Sequence, residues 1–156
     1  GRAARRRSLA MLKGIDPLLT PELLMHLSAM GHGEWVAVVD ANFTADHLAK
    51  GKALVRLPGN SLERVSTAVL SVLPLADDVR QPAAYMHVCG QPAGHRTGAQ
   101  RDTASVLHRH GLADDRIEAI ERFAFYDKIR LASVLVQSGE STAYGNAMFC
   151  KGVILT

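Results

Sequence analysis

Apolar residues fall into short blocks along this chain, and the blocks switch between two periods. Leu23, Leu24, Leu27 and Met30 recur at helical spacing. Thr20-Pro21-Glu22 ahead of them has the parts of a helix start: threonine caps, proline suits the first helical position, and glutamate favours the positive end of the dipole. Gly31 is expected to end that helix in the left-handed conformation. Trp35-Val36-Ala37-Val38-Val39 is then a continuous apolar run, the pattern of a strand buried on both faces, with Asp40 at its C-terminal end.

The alternation continues. Residues 53–57 read as a second strand, and Pro58-Gly59-Asn60 as a turn. Ser61 can cap a helix carrying Leu62, Val65, Val69 and Leu73, with Pro74 as its stop. Residues 83–89 read as a third strand, followed by a glycine-bearing loop over 90–98. Residues 99–110 predict a polar, exposed helix ended by Gly111. Residues 116–120 read as a strand, 121–130 as a helix and 132–137 as a strand. Met148-Phe149-Cys150 and Val153-Ile154-Leu155 read as two closing strands. Helices interleaved with apolar strands predict an α/β layered sandwich with a mostly buried, mixed sheet covered by helices.

Composition changes this picture only at the N-terminus. The 156 residues, 47% hydrophobic, suffice for one domain with a substantial core. The formal net charge of +3 suggests an anionic partner until it is located. Arg2, Arg5, Arg6 and Arg7 supply it all, and without them the charge is −1. A nucleic-acid-binding face on the domain therefore loses its support. Residues 1–10 are set apart as a basic tail, foreign to the domain or disordered, with an alternative start or an arginine-rich targeting segment as competing readings. Residues 11–156 form the single domain. No apolar run is long enough to span a membrane. Cys89 and Cys150 have neither scaffold nor metal spacing, so reduced thiols and a cytoplasmic setting are expected.

Four places carry candidate chemistry. Gly31-His32-Gly33 sets a histidine on irregular backbone, where it can approach a ligand and exchange protons near neutral pH; a surface histidine beside a helix-capping glycine explains it equally. Asp40 ends a buried strand, where α/β proteins bind ligands, and is placed to hold a sugar hydroxyl or one nitrogen of a histidine; a turn-forming aspartate is the plainer reading. Arg122 and Tyr126, four apart, share a helix face and offer a fork of donors with a phenol, unless the aromatics are core and Arg122 merely solvated. Tyr144-Gly145-Asn146 suits polyol recognition, with glycine permitting close approach, though alone it is more often a turn. Phosphate loops, nucleophile elbows and dinucleotide fingerprints are absent from the sequence. His108 and His110 lie two apart on a predicted helix, which is poor metal geometry.

Taken in order, these motifs resemble one family. Met11-Leu12-Lys13-Gly14-Ile15 with Pro17 to Leu24, Met30-Gly31-His32-Gly33, Asp40-Ala41-Asn42-Phe43, Arg122-Phe123-Ala124-Phe125-Tyr126, and Gly139-Glu140 with Tyr144-Gly145-Asn146 are similar to the fucose mutarotase and ribose pyranase family. The Arg122 to Tyr126 block points to the fucose branch. Glu34 stands where relatives often carry aspartate, and Thr44 where proline is common. The resemblance implies a histidine acid/base at His32, with Tyr126 as a second proton-transfer candidate. It implies substrate contacts at Asp40, Arg122, Tyr144, Gly145 and Asn146. It further implies a ring-shaped homo-oligomer with sites near subunit interfaces, a free monosaccharide as partner, and no metal or organic cofactor. The activity so implied interconverts the anomers of a free sugar. The alternatives are a pyranase interconverting pyranose and furanose forms, a sugar-binding module without catalysis, and an interaction protein acting through its basic tail.

Overall fold

The computed structural model describes residues 12–156, so the basic tail assigned to residues 1–10 lies outside the described residues. The elements follow in the order α1 (Pro21–Ala29), β1 (Trp35–Val39), α2 (Ala45–Ala49), β2 (Ala53–Leu57), α3 (Leu62–Leu70), β3 (Ala83–Met86), α4 (Gly98–Arg109), β4 (Ile117–Ile120), α5 (Arg122–Ile129), β5 (Val134–Ser138) and β6 (Ala147–Cys150). The strands form one sheet in the order β2-β5-β1-β6-β3-β4. All neighbours pair in parallel except β6, which runs antiparallel to both β1 and β3. This is the expected α/β sandwich with a mixed sheet.

Burial alternates along each strand, as the two-residue period of a strand requires. Val36, Val38, Val134, Val136 and Phe149 face one core with Leu23 and Leu27 of α1, Val65 and Val69 of α3, and Leu107 of α4. Ala37, Val39, Leu135 and Met148 face the other core with Leu48 of α2 and Phe125 and Ile129 of α5. Covering both faces is why β1 reads as an unbroken apolar run. The edge strands differ, exposing Arg56 on β2 and carrying Glu118 on β4. Charges there discourage pairing with another chain.

Local signals set most boundaries. Thr20 accepts the Leu23 N–H to start α1, and Ser61 accepts the Arg64 N–H to start α3. Glu121 accepts from both Phe123 and Ala124, so α5 begins at Arg122. Other expectations need correction. Helix α1 ends in an extended Met30, and Gly33 rather than Gly31 takes the left-handed conformation, at φ 86°. Helix α3 ends at Leu70, before Pro74 can stop it. Helix α4 is not simply exposed, because Gln100, Thr103, Ala104, Val106 and Leu107 are buried against α3 and the sheet. Strand β3 stops at Met86. Residues 153–155 form no strand and leave Ile154 and Leu155 exposed. The short helix α2 was not anticipated. Among the described residues no helix is long and apolar enough to cross a membrane.

Two fold-level outcomes follow. A Cβ on Gly139 would sit 2.4 Å from the Gly59 backbone nitrogen, a clash with backbone rather than with a movable side chain. Gly139→Ala is therefore expected to destabilise by about 1–3 kcal/mol, read from denaturant midpoints; an unchanged midpoint would refute this packing. Arg64 forks onto Asp16 at 2.7 and 2.8 Å, tying the segment before α1 to α3. The Arg64 hydrogen bonds hold the Asp16 carboxyl below its ordinary value of 3.8, against the opposing effect of burial. A depressed folded value means the stabilisation is complete above the unfolded value and fades as pH falls through the folded one. Arg64 is 40% exposed, which keeps the contribution small. Asp16→Asn should thus cost about 1 kcal/mol at neutral pH, with the difference from the parent closing as acid is added below 3.8. A difference that persists or grows in acid would rule the ion pair out as its cause.

Candidate functional site

Strand direction decides which residues can meet. β1 to β5 all point one way, so their C-terminal ends share one edge of the sheet, and the reversed β6 begins there. Ligands of α/β sheets gather at that kind of edge. Here it carries a cleft of about 330 Å³ whose wall includes Asp40, Phe43, Met86, Arg122, Tyr126, Tyr144 and Asn146. Residues more than 100 positions apart in sequence are thus brought together by topology.

The cleft wall is tightly organised. The Asp40 backbone N–H donates to Asn146 Oδ1 at 2.8 Å, and the Asn42 N–H donates to Asp40 Oδ1 at 3.0 Å. Asp40 and Asn146 are both buried, at 6% and 2% exposure. Burial pushes the Asp40 carboxyl above its ordinary value, while hydrogen bonds from Asn42, Gly145 and Asn146 pull the other way. Gln137 Nε2 braces the loop after β1 by donating to the Ala41 carbonyl at 3.3 Å. Glu140 holds the returning segment, accepting from Leu62 and Thr142 N–H groups at 3.1 Å each. Burial would raise its carboxyl, but these bonds prevail and lower it.

Arg122 and Tyr126 meet as their spacing on α5 requires, with Arg122 Nε donating to the Tyr126 hydroxyl at 3.1 Å. Phe43 packs on Tyr126 with ring centroids 5.7 Å apart. Tyr144 is the one non-glycine residue in the left-handed region among the described residues, at φ 63°. The Cys89 thiol beside its hydroxyl raises the Tyr144 phenol above its ordinary value, so it stays protonated at neutral pH. Gly145 packs closely against the loop it belongs to. A Cβ there would lie 2.7 Å from Glu140 Cγ and 2.9 Å from the Thr142 carbonyl, so the close approach it permits is to the chain's own loop.

His32 is not in this cleft. It precedes β1, whereas Asp40 follows it, and β1 has five residues, a span of about 17 Å for extended chain. The expectation that Asp40 orients His32 fails within one chain for that reason. The nitrogen Nε2 of His32 faces Asp78 instead, at 3.0 Å from both carboxylate oxygens. A second cleft of about 500 Å³ opens beside His32, walled by Leu24, Leu27, Val72, Pro74 and Ile154 among others. Sequence reading missed Asp78, Cys89 and Gln100. For Gln100 a signal existed: Thr97-x-x-Gln100 is a capping box, and both of its hydrogen bonds form. Asp78 and Cys89 sit in loops with no pattern to single them out. Cys89 and Cys150 are free thiols.

A model of the RbsD / FucU transport protein family matches residues 13–154. The human fucose mutarotase is 36% identical over 149 residues, covering 94% of this chain and 96% of that protein. The crystal structure of FucU from Bifidobacterium longum matches with a TM-score of 0.85 at 36% identity, over 92% of this chain and 100% of that one. The structure of a fucose mutarotase from Streptococcus pneumoniae in complex with L-fucose matches with a TM-score of 0.82 at 28% identity, over 92% of this chain and 100% of that one. The chain, matched almost end to end in both sequence and fold, belongs to the RbsD / FucU family.

Proposed function

We propose that this protein is a mutarotase that interconverts the α and β anomers of a free monosaccharide, L-fucose or a related sugar, by acid/base ring opening. The observation that carries the reading is the cleft at the sheet edge, where a buried carboxyl, an amide, a guanidinium and two phenols converge. That donor and acceptor set suits hydroxyl recognition. The relatives named fucose mutarotase, and the L-fucose complex of one of them, favour this sugar over the ribose of a pyranase.

Mutarotation breaks the ring C–O bond and remakes it on the other face. A base takes the proton of the anomeric hydroxyl while an acid gives one to the ring oxygen. The aldehyde rotates and the steps reverse. No electrons leave the sugar, so the proposed reaction is cofactor-independent. Each well-placed proton-transfer group contributes about 10²–10⁴-fold, and one or two suffice because the reaction already runs slowly in water. We assign proton transfer to His32, with Tyr126 as a second group. Asp40, Arg122, Tyr144, Gly145 and Asn146 bind the sugar, and Gly145 also lets its loop close on Glu140 and Thr142.

His32 and the cleft lie on opposite edges of the sheet, so one chain does not complete the site under this reading. We assign the histidine to a neighbouring copy in a ring, where each subunit offers its His32 edge to the next subunit's cleft. Such a head-to-tail contact closes into a ring when the rotation permits. Exposed apolar side chains at both edges support it: Ile154, 74% exposed, on the His32 side and Phe123, 66% exposed, beside Tyr126. A cytoplasmic enzyme fits the two free thiols.

His32→Gln removes the imidazole and keeps polarity. It should lower anomer exchange by about 10²-fold or more, with sugar affinity falling far less. Exchange is read by NMR between anomeric protons and affinity by calorimetry. A variant exchanging at the parent rate removes His32 from the mechanism. A parent that binds fucose without exchanging anomers is a binding module. A mixing experiment tests the shared site. His32→Gln and Arg122→Ala subunits, each impaired alone, should recover about a quarter of the parent rate when reassembled in equal amounts, since about a quarter of interfaces then pair two intact halves. Mixed rings no faster than the average of the separate variants would mean that the site lies within one chain.

A further inference from the structure

We propose that Asp78 is a positioning residue for His32: its carboxylate fixes the proton of the imidazole on Nε2 and leaves the Nδ1 lone pair as the proton-transfer position. The inference rests on the assignment of His32 above and adds the identity of the working nitrogen and the group that selects it.

The backbone around His32 is already fixed without Asp78. Gly33 N–H donates to the Lys151 carbonyl at 2.8 Å, and Lys151 N–H donates to the Glu34 carbonyl at 2.8 Å. The Lys151 ammonium donates to the Met30 carbonyl at 2.6 Å and the Leu27 carbonyl at 2.9 Å, holding the end of α1 against the loop. The Glu34 carboxylate accepts from the Gly31 N–H and, at 2.7 Å, from the Ser133 hydroxyl. Lys151 and Glu34 are thus engaged with backbone or hydroxyl partners. What these contacts leave undetermined is the imidazole itself: its rotation and which nitrogen holds the proton.

Asp78 supplies that. It lies 46 residues away in the loop before β3, yet both its oxygens stand 3.0 Å from Nε2. The His32 hydrogen bond holds the Asp78 carboxyl below its ordinary value, so it is ionised at neutral pH. An ionised carboxylate only accepts hydrogen bonds, so the nitrogen facing it carries the proton. In the neutral ring the other nitrogen is then the acceptor. Nδ1 makes no hydrogen bond among the described residues, so its lone pair is available to a sugar hydroxyl. Carboxylate-held imidazoles serve as general bases through this division of labour.

The test uses the full-length assembled protein with four variants. Long-range proton–nitrogen NMR spectra of histidine, taken where the imidazole is neutral and with His32→Gln to assign its signals, report the tautomer. Fucose anomer exchange reports the consequence. The parent should show a protonated Nε2 and a bare Nδ1 at His32. Asp78→Ala should lose that pattern and exchange anomers about tenfold more slowly or worse, while Asp78→Glu should restore part of both. Asp77→Ala removes the same charge one exposed position away and should change neither. An unaltered tautomer in Asp78→Ala overturns the proposal, as does an altered tautomer with a parental rate, or an equal effect from Asp77→Ala. Absence of exchange in the parent would overturn the mutarotase reading itself, and the spectra would still decide whether Asp78 sets the tautomer.

Discussion

The reversal of β6 is the constraint on which this structure depends. Without it the sheet is two parallel pieces, β2-β5-β1 and β3-β4, with no strand between them. β6 pairs with β1 through Trp35 to Val38 and with β3 through Ala83 to Tyr85, and so joins the halves. Running antiparallel, it also begins where the others end. Tyr144, Gly145 and Asn146, just before β6, therefore land beside Asp40 after β1 and near Arg122 after β4. The bond from the Asp40 N–H to Asn146 Oδ1 closes that junction in a buried position. One strand direction thus makes both a continuous core and a cleft.

Much of this was legible because covering both faces of a sheet leaves a plain mark. Val36 to Val39 had to be interior, and the caps Thr20 and Ser61 had chemistry to support the helices that followed. What misled was chemistry that two environments share. Val153-Ile154-Leu155 has strand composition, but Gly152 turns into a tight approach to Leu75, and the sheet position beyond β6 is already taken by β1 and β3. Gly31 looked like a helix stop, yet its N–H is taken by Glu34 and the left-handed turn moves to Gly33. Helix α2 is only five residues long, too short for a periodic signal, and stands because Ala45, Leu48 and Ala49 are buried against the sheet.

The site divides along the same line. Neighbours on α5 could be paired from spacing alone, and Arg122 does meet Tyr126. The cluster of Asp40, Asn146 and Arg122 was legible only through resemblance, since pairing across the sheet leaves no local mark. The link from His32 to Asp40 was misjudged because sequence proximity hid the length of β1 between them. Eight positions apart in sequence is close, yet a straight strand carries those eight residues from one edge of the sheet to the other. The 46 residues between His32 and Asp78 bring the chain back to the edge it left.

Local costs gather at the cleft rather than across the core. Tyr144 holds a left-handed backbone at φ 63°, a conformation costing about 1–3 kcal/mol outside glycine. Asp40 keeps a carboxyl in a place where burial disfavours its charge. Such features persist only where surrounding contacts over-determine them, and Gln100 is the clearest of those contacts. Its side-chain oxygen accepts the Thr97 N–H at 2.9 Å. Its amide nitrogen donates to the Met86 carbonyl at 2.6 Å and to the Tyr144 carbonyl at 2.9 Å. A single buried side chain therefore fixes the start of α4, the end of β3 and the strained tyrosine at once. The Asn146 N–H adds a second bond to the Tyr144 carbonyl at 2.8 Å. Ordinary folding does not require a tyrosine at that backbone geometry, because glycine would adopt it freely. A tyrosine at that geometry, with its carbonyl held by two donors, fits the sugar-binding part proposed for it.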